Sequence, residues 1–153
     1  MTVQNVMSKK VVVVKPDTTL RELWKTIFSR RVNAVPVVDA KRKLVGIISK
    51  EDMLKLLYPD YEGMLDDLFS SFDFEAMEER VHELNAKKAR DIMCKRVVFT
   101  REDTQVMRAL SRMVARRINQ LPVLARKNDT VIGMVTKGDI FRALFTKHLR
   151  LTS

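Results

Sequence analysis

The chain has 153 residues, of which 46% are hydrophobic and 31% charged, a balance typical of a globular protein rather than a fibrous or disordered one. Its longest apolar runs, such as Val11–Val14, are far too short to span a bilayer, so we expect no membrane segment and no N-terminal secretion signal. The single cysteine, Cys94, excludes an internal disulfide and is compatible with a reducing cytoplasm.

The net charge of +10 is unevenly distributed along the chain. Residues 1–55 carry +7, residues 56–85 carry −8, and residues 86–153 carry +11. Two basic lobes therefore flank an acidic middle segment, which suits anionic ligands, nucleic acid, or simply a solvated surface. Nucleic acid is the weaker interpretation, because no nucleic-acid recognition motif accompanies the charge.

Residues 1–58 predict the order strand, helix, strand, strand, helix. The β-branched run Val11–Val14 favours a short strand. Thr19 and Glu22 have capping-box spacing. The residues that follow at helical spacing, and that we expect in the core, are Leu20, Leu23, Trp24, Ile27 and Phe28. The remaining predicted elements are strands Val35–Val38 and Leu44–Ile48 and a helix over Glu51–Leu57.

Residues 59–88 read as an acidic linker. Pro59 and Gly63 interrupt its beginning. Apolar residues at helical spacing predict an amphipathic helix near its end, and these are Phe74, Met77, Val81 and Leu84.

Residues 89–150 repeat the pattern of residues 1–58. The two copies align at an offset of 86 residues up to Pro36 and Pro122, and of 87 afterwards. Identical pairs include Met7/Met93, Asn33/Asn119, Gly46/Gly133 and Asp52/Asp139. The predicted strands are Val97–Phe99, Leu121–Leu124 and Val131–Val135; the helices carry Val106, Ala109, Leu110, Met113 and Val114, and then span Gly138–Lys147. The duplication predicts a mixed α+β fold of two tandem β-α-β-β-α units, packed as a pseudo-twofold pair around one core.

Two equivalent motifs, Ser49-x-x-Asp52 and Thr136-x-x-Asp139, each lie between a predicted strand and a helix. Either can be a helix cap, in which the hydroxyl and the carboxylate satisfy the first backbone N–H groups. Either can also present a carboxylate and a hydroxyl to a ligand, and the two roles are compatible.

The repeat, with "NAVPVVD" followed by "GIISKED", resembles a free-standing CBS-domain pair, also called a Bateman module. The resemblance covers both copies but not the acidic linker. It implies a regulatory module that binds adenosyl ligands such as AMP, ADP, ATP or S-adenosylmethionine in two clefts between the repeats. It also implies pairing of such modules into a homodimer.

The resemblance assigns roles to matching positions. The Ser/Thr-x-x-Asp motifs would hold ribose and phosphate, through Ser49, Lys50, Asp52, Thr136, Lys137 and Asp139. The adenine walls would be Val11, Asn33, Ala34, Val35 and Pro36, and in the second copy Val97, Asn119, Gln120, Leu121 and Pro122. Each cleft would combine the wall of one copy with the Ser/Thr-x-x-Asp motif of the other. Arg31 and Arg117 are further candidates for phosphate, although cations at a helix end are favoured by the helix dipole in any case.

Two departures from the family pattern bear on the ligand. Ala125 stands where the first copy has Asp39. The positions at which relatives that hold phosphates place His or Arg are neutral here, namely Asn33, Ala34, Asn119 and Gln120. These neutral side chains disfavour a triphosphate unless nearby cations such as Arg31 compensate.

No catalytic set accompanies the motifs, since no Ser/His/Asp arrangement, paired acids or Gly-rich phosphate loop is present. His82, His148 and Cys94 are too far apart in sequence to indicate a metal site. We expect Met7 and Met93 to pack in the hydrophobic core rather than to bind a metal. We therefore expect a cytoplasmic adenosyl-ligand sensor without catalytic activity or cofactor, acting on an unidentified regulated protein. The alternatives are a protein-interaction module with empty clefts and a nucleic-acid-binding protein.

Overall fold

The computed structural model describes residues 1–57 and 82–149 of the chain. Its elements are a 3-10 turn (Val3–Asn5), α1 (Leu20–Ser29), β1 (Ala34–Val38), β2 (Leu44–Ser49), α2 (Lys50–Leu57), α3 (Ala89–Ile92), β3 (Thr100–Arg101), α4 (Val106–Arg116), β4 (Gln120–Leu124), β5 (Val131–Thr136) and α5 (Lys137–Leu149). This mixture of helices and strands, with the order helix, strand, strand, helix occurring twice, confirms the predicted fold class. Within the described residues no helix combines the length and apolar character that a membrane span requires.

The chain divides into two compact units that do not coincide with the two sequence repeats. The N unit comprises Val13–Asp39 and Val45–Lys95, and the C unit comprises Met1–Val12, Ala40–Leu44 and Arg96–Ser153. Each unit thus combines most of one repeat with the segment that precedes the other repeat. The reason is backbone pairing: the Val3 N–H donates to the Thr104 carbonyl at 2.8 Å in the C unit. In the N unit the Ala89 N–H donates to the Thr18 carbonyl at 2.8 Å.

In the N unit, α1 begins at the predicted capping box. The Glu22 N–H donates to Thr19 Oγ1 and the Thr19 N–H donates to Glu22 Oε2, both at 3.2 Å. Three residues of α1 are buried, namely Leu20, Leu23 and Ile27. Strands β1 and β2 form a two-stranded sheet, and β1 is buried over residues 35–38.

In the C unit, β3, β4 and β5 form a sheet in that order, with β3 parallel and β5 antiparallel to the central β4. Register is fixed by the pairs Thr100↔Val123 and Gln120↔Thr136. The buried core joins the N-terminal turn, α4, β4, β5 and α5, through Val3, Val106, Ala109, Leu110, Met113, Leu121, Val123, Val135 and Ile140. This core explains why Met1–Val12 belongs to the C unit.

The two predicted first strands are wrong in position. Of Val11–Val14, only Val14 pairs with another described residue, in a bridge parallel to Val37. In the second copy the strand lies at Thr100–Arg101 rather than at Val97–Phe99. β-Branched composition predicts an extended segment, but the neighbouring strand decides which of its residues complete hydrogen bonds.

The predicted core faces of α1 and α4 were too wide. Trp24 is 39% exposed and Val114 is 60% exposed, against the prediction that both are core residues. Trp24 instead packs on Phe28, with ring centroids 4.3 Å apart. Each helix contacts the rest of its unit along a stripe narrower than its apolar face, so the edge residues remain in solvent.

The final helices begin slightly before the predicted Glu51 and Gly138, because the lysine after each Ser or Thr is already helical. The linker helix predicted from Phe74, Met77 and Val81 lies outside the described residues. Leu84, the last residue of that pattern, is buried.

Candidate functional site

Both Ser/Thr-x-x-Asp motifs form reciprocal helix caps. The Ser49 N–H donates to Asp52 Oδ2 at 2.9 Å, and the Asp52 N–H donates to Ser49 Oγ at 3.1 Å. Thr136 and Asp139 repeat this geometry, with both distances 3.0 Å. The capping interpretation of the motifs is therefore confirmed, and the caps hold the four side chains in equivalent orientations at the starts of α2 and α5.

The caps leave binding capacity on each motif. Only Oδ2 of each aspartate is used, and Oδ1 has no hydrogen-bond partner among residues 1–57 and 82–149. The Ser49 and Thr136 hydroxyls accept a hydrogen bond in the cap, so their protons remain available to donate. All four residues are half-buried. Each motif can thus offer a fixed carboxylate acceptor and a hydroxyl donor to a ligand.

The amides at the helix starts are largely occupied. The Lys50 N–H donates to the Asn33 carbonyl at 2.8 Å, and the Lys137 N–H donates to the Asn119 carbonyl at 3.0 Å. With the amides of Asp52 and Asp139 used in the caps, the amides of Glu51 and Gly138 remain in the first turns. A phosphate at either helix start would therefore meet few backbone donors and depend on side chains for most of its contacts.

The predicted adenine-wall residues fall into two groups. Val35, Pro36, Leu121 and Pro122 are buried in β1 and β4, so their side chains belong to the core. Val11, Ala34, Val97 and Gln120 are half-buried, and Asn33 and Asn119 are exposed, so these six have accessible surface. The structure brings Asn33 beside Lys50 and Asn119 beside Lys137; the grouping of walls and motifs into cross-repeat clefts stays a prediction.

Arg31 and Arg117 both adopt left-handed backbone conformations, with φ of 52° and 55°. They end α1 and α4, and the residue after each donates back into its helix: Val32 to the Ile27 carbonyl at 3.2 Å, and Ile118 to the Met113 carbonyl at 3.0 Å. Both residues thus end their helices through backbone conformation alone, and their exposed side chains take no part in it.

One pocket beside Asp139 contains cations that the sequence analysis missed. This pocket of the C unit has a volume of about 380 Å³ and is lined by Asp139, Arg142 and Lys147 together with Asn5 and Val6. Arg142 lies three residues after Asp139, so helical spacing could have identified it. Arg142 does not stand out as a match between the repeats, because its counterpart, Lys55, is not identical, and Asn5 lies too far from Asp139 in sequence to be linked to it.

Comparison with known proteins matches the chain twice to the CBS domain model, over residues 3–59 and 89–146. Protein MJ1426 of Methanocaldococcus jannaschii is 31% identical over 94% of this chain and 91% of its own length. The chloroplastic CBS domain-containing protein CBSX1 of Arabidopsis thaliana is 29% identical over 93% of this chain, which spans 63% of that relative. Among solved structures, the CBS domain pair of protein MJ0100, in complex with 5′-methylthioadenosine and S-adenosyl-L-methionine, is 26% identical, covers 96% of this chain and 98% of its own, and has a TM-score of 0.69.

Proposed function

The chain belongs to the CBS domain family, and on that premise we propose that it is a regulatory module that binds adenosyl ligands and has no catalytic activity of its own. The observation that carries the proposal is the pair of identical caps, each presenting a half-buried aspartate with Oδ1 unused among the described residues. A ribose diol offers O–H donors and oxygen acceptors, so it can donate to the unused carboxylate oxygen and accept from the neighbouring hydroxyl.

The relative MJ0100 supports the choice of ligand class, since both compounds in its structure contain an adenosyl group. Those two compounds carry no phosphate. The neutral side chains of Asn33 and Asn119 fit the same preference, whereas Arg142 and Lys147 beside Asp139 favour AMP, ADP or ATP at the second motif. We therefore propose that the two motifs differ in their tolerance of phosphate.

Signalling would follow from a shift in population between two conformations that bind the ligand with different affinity. We propose that the module works in the cytoplasm as a homodimer and that its output is an effect on a regulated protein. The acidic residues 59–88 are a natural contact for such a partner, because their charge is opposite to that of both flanking lobes.

Calorimetry and thermal melting with adenosine, 2′-deoxyadenosine, AMP, ATP and S-adenosylmethionine test the proposal. A ligand at 100 times its Kd should stabilise the fold by about 2.7 kcal/mol, and 2′-deoxyadenosine should bind more weakly than adenosine because it lacks one of the two hydroxyls. If none of these compounds shifts the melting curve at millimolar concentration, the module does not sense adenosyl compounds.

Asp52→Asn and Asp139→Asn should each weaken one of two binding events, because the amide keeps an acceptor for the cap but loses the charge. Glu22→Gln is the matched control, since it alters the equivalent cap of α1, outside the candidate site. Should both aspartate variants bind like the parent, the carboxylates serve only as caps.

A further inference from the structure

The C unit contains a second basic pocket, distinct from the one beside Asp139. It has a volume of about 430 Å³ and is lined by residues 97–99, by Thr104, and by Arg101, Arg112 and Arg116. Only Val97 is shared with the residues assigned above to the adenosyl ligand. Its lining therefore combines three apolar residues, Val97, Val98 and Phe99, with three arginines.

Arg101 is a fixed part of the pocket. Its Nη1 donates to the carbonyls of Ala125 and Asn128 at 2.9 and 2.8 Å, and its Nη2 lies 2.9 Å from Asp129 Oδ1. The guanidinium also lies over the Phe99 ring, 5.5 Å from the centroid. Since Asp129 compensates its charge, Arg101 shapes the pocket more than it attracts an anion.

Arg112 and Arg116 differ from Arg101 because no carboxylate of the described residues pairs with either of them. The Nη1 of Arg112 donates to the Phe99 carbonyl, which leaves Nε and Nη2 for other acceptors. Arg116 makes no hydrogen bond or ion pair within residues 1–57 and 82–149 and is exposed. The two lie four residues apart on α4, which contains neither Asp nor Glu, so their like charges repel.

The first repeat shows that the fold does not require this arginine pair. At the repeat offset of 86, Arg112 corresponds to Thr26 and Arg116 to Arg30, while Arg101 corresponds to Lys15. Helix α1 forms with Thr26 at the equivalent position. The paired guanidiniums are therefore specific to the second copy, at a position where the duplication has diverged.

We propose that this pocket binds a small organic phosphate, with the phosphate between Arg112 and Arg116 and the organic part against residues 97–99. A guanidinium presents parallel N–H donors that match two phosphate oxygens, and a dianion relieves the repulsion between two neighbouring arginines. The apolar wall accounts for an organic part, because inorganic phosphate alone leaves that wall unused.

The test is a titration of the full chain with phenyl phosphate and with inorganic phosphate. Binding is measured by calorimetry and by the NMR signals of the arginine Nε–H groups. Phenyl phosphate should bind more tightly than inorganic phosphate. Arg116→Gln should weaken its binding by about 10-fold or more, the loss expected for a charged hydrogen bond of about 1.5–3 kcal/mol. Arg30→Gln, the matched change in the first copy, should leave binding unchanged.

Two results would overturn the proposal: no saturable binding of either phosphate at millimolar concentration, or equal weakening by Arg116→Gln and Arg30→Gln, which would indicate unspecific attraction to a basic surface. Because Arg116 is exposed, its replacement should leave the urea unfolding curve unchanged. Adenosine, which has no phosphate, separates this proposal from the proposed function: its binding should be the same in Arg116→Gln as in the parent. AMP compared with adenosine shows whether the bound phosphate can be that of a nucleotide.

Discussion

Replacing Gly133 with alanine should destabilise the chain more than the matched change at Gly46. A methyl group on Gly133 would lie 2.6 Å from the Ser8 carbonyl oxygen and 3.0 Å from the Met7 sulfur. The Ser8 carbonyl accepts a hydrogen bond from the Met134 N–H at 3.0 Å, so it cannot retreat without breaking that bond. Overpacking of about 1–3 kcal/mol, plus about 1 kcal/mol for the hydrogen bond, gives an expected loss of about 2–4 kcal/mol.

At Gly46 the three atoms nearest to the added methyl group would all belong to the Met93 side chain, with the sulfur at 2.5 Å, Cγ at 2.8 Å and Cβ at 3.0 Å. Because a methionine side chain can rotate, we expect a loss of about 1 kcal/mol there. Urea unfolding of single and double variants measures both cases. Met93→Ala should rescue Gly46→Ala with a coupling of about 1 kcal/mol, whereas Met7→Ala should not rescue Gly133→Ala, since the clash with the backbone remains. Equal rescue at both glycines, or a Gly133→Ala variant as stable as the parent, would refute this reasoning.

Three further predictions test the fold by urea or thermal unfolding. Thr19→Ala should cost about 1 kcal/mol by removing the cap of α1, whereas Gln105→Ala should cost little because Gln105 makes no capping hydrogen bond to α4; equal losses would contradict this assignment. Thr100→Val should be neutral or stabilising, by up to about 1 kcal/mol, since the fully buried Thr100 hydroxyl has no hydrogen-bond partner among the described residues, and a clear loss would reveal an unrecognised partner. Leu23→Ala should cost about 3 kcal/mol and Trp24→Ala about 1 kcal/mol, because Leu23 is fully buried and Trp24 is 39% exposed; the reverse order would restore Trp24 to the core.

Helices and central strands could be predicted from the sequence because their signals are local. Each of these signals involves residues only a few positions apart, as in the Thr19 cap, the helical spacing of Leu20, Leu23 and Ile27, and the strand that contains Pro36. The first strands could not be placed in this way, since Val14 pairs with Val37 and Thr100 with Val123, more than twenty residues away. Composition marked these segments as extended but carried no information on register.

Some residues of the candidate site could likewise be predicted from the sequence, and others could not. Ser49, Asp52 and their counterparts Thr136 and Asp139 could be found because each pair is close in sequence and occurs twice. Arg112 and Arg142, each in one of the two basic pockets, could not be found in this way, because neither matches its counterpart in the first copy. Matching positions between the repeats show what the two copies share. Arg112 aligns with Thr26, so it belongs to the positions at which the copies differ. Positions that break an internal repeat are therefore informative about ligands, just as matching positions are informative about packing.

The Met and Gly identities show what such matching positions mean physically. The alignment pairs Met7 with Met93 and Gly46 with Gly133, as if each residue were retained for its own repeat. In the structure Met93 packs on Gly46, and Met7 packs on Gly133, so each methionine serves the glycine of the other copy. Beside each contact a reciprocal pair of backbone hydrogen bonds joins the same two segments, Ile47 with Cys94 and Ser8 with Met134. Each glycine leaves room for the methionine of the other copy, which a bulkier residue would displace. Each unit therefore depends on a segment that lies next to the other repeat in sequence. Neither repeat, cut at its sequence boundaries, would therefore contain the full set of contacts that forms its own unit.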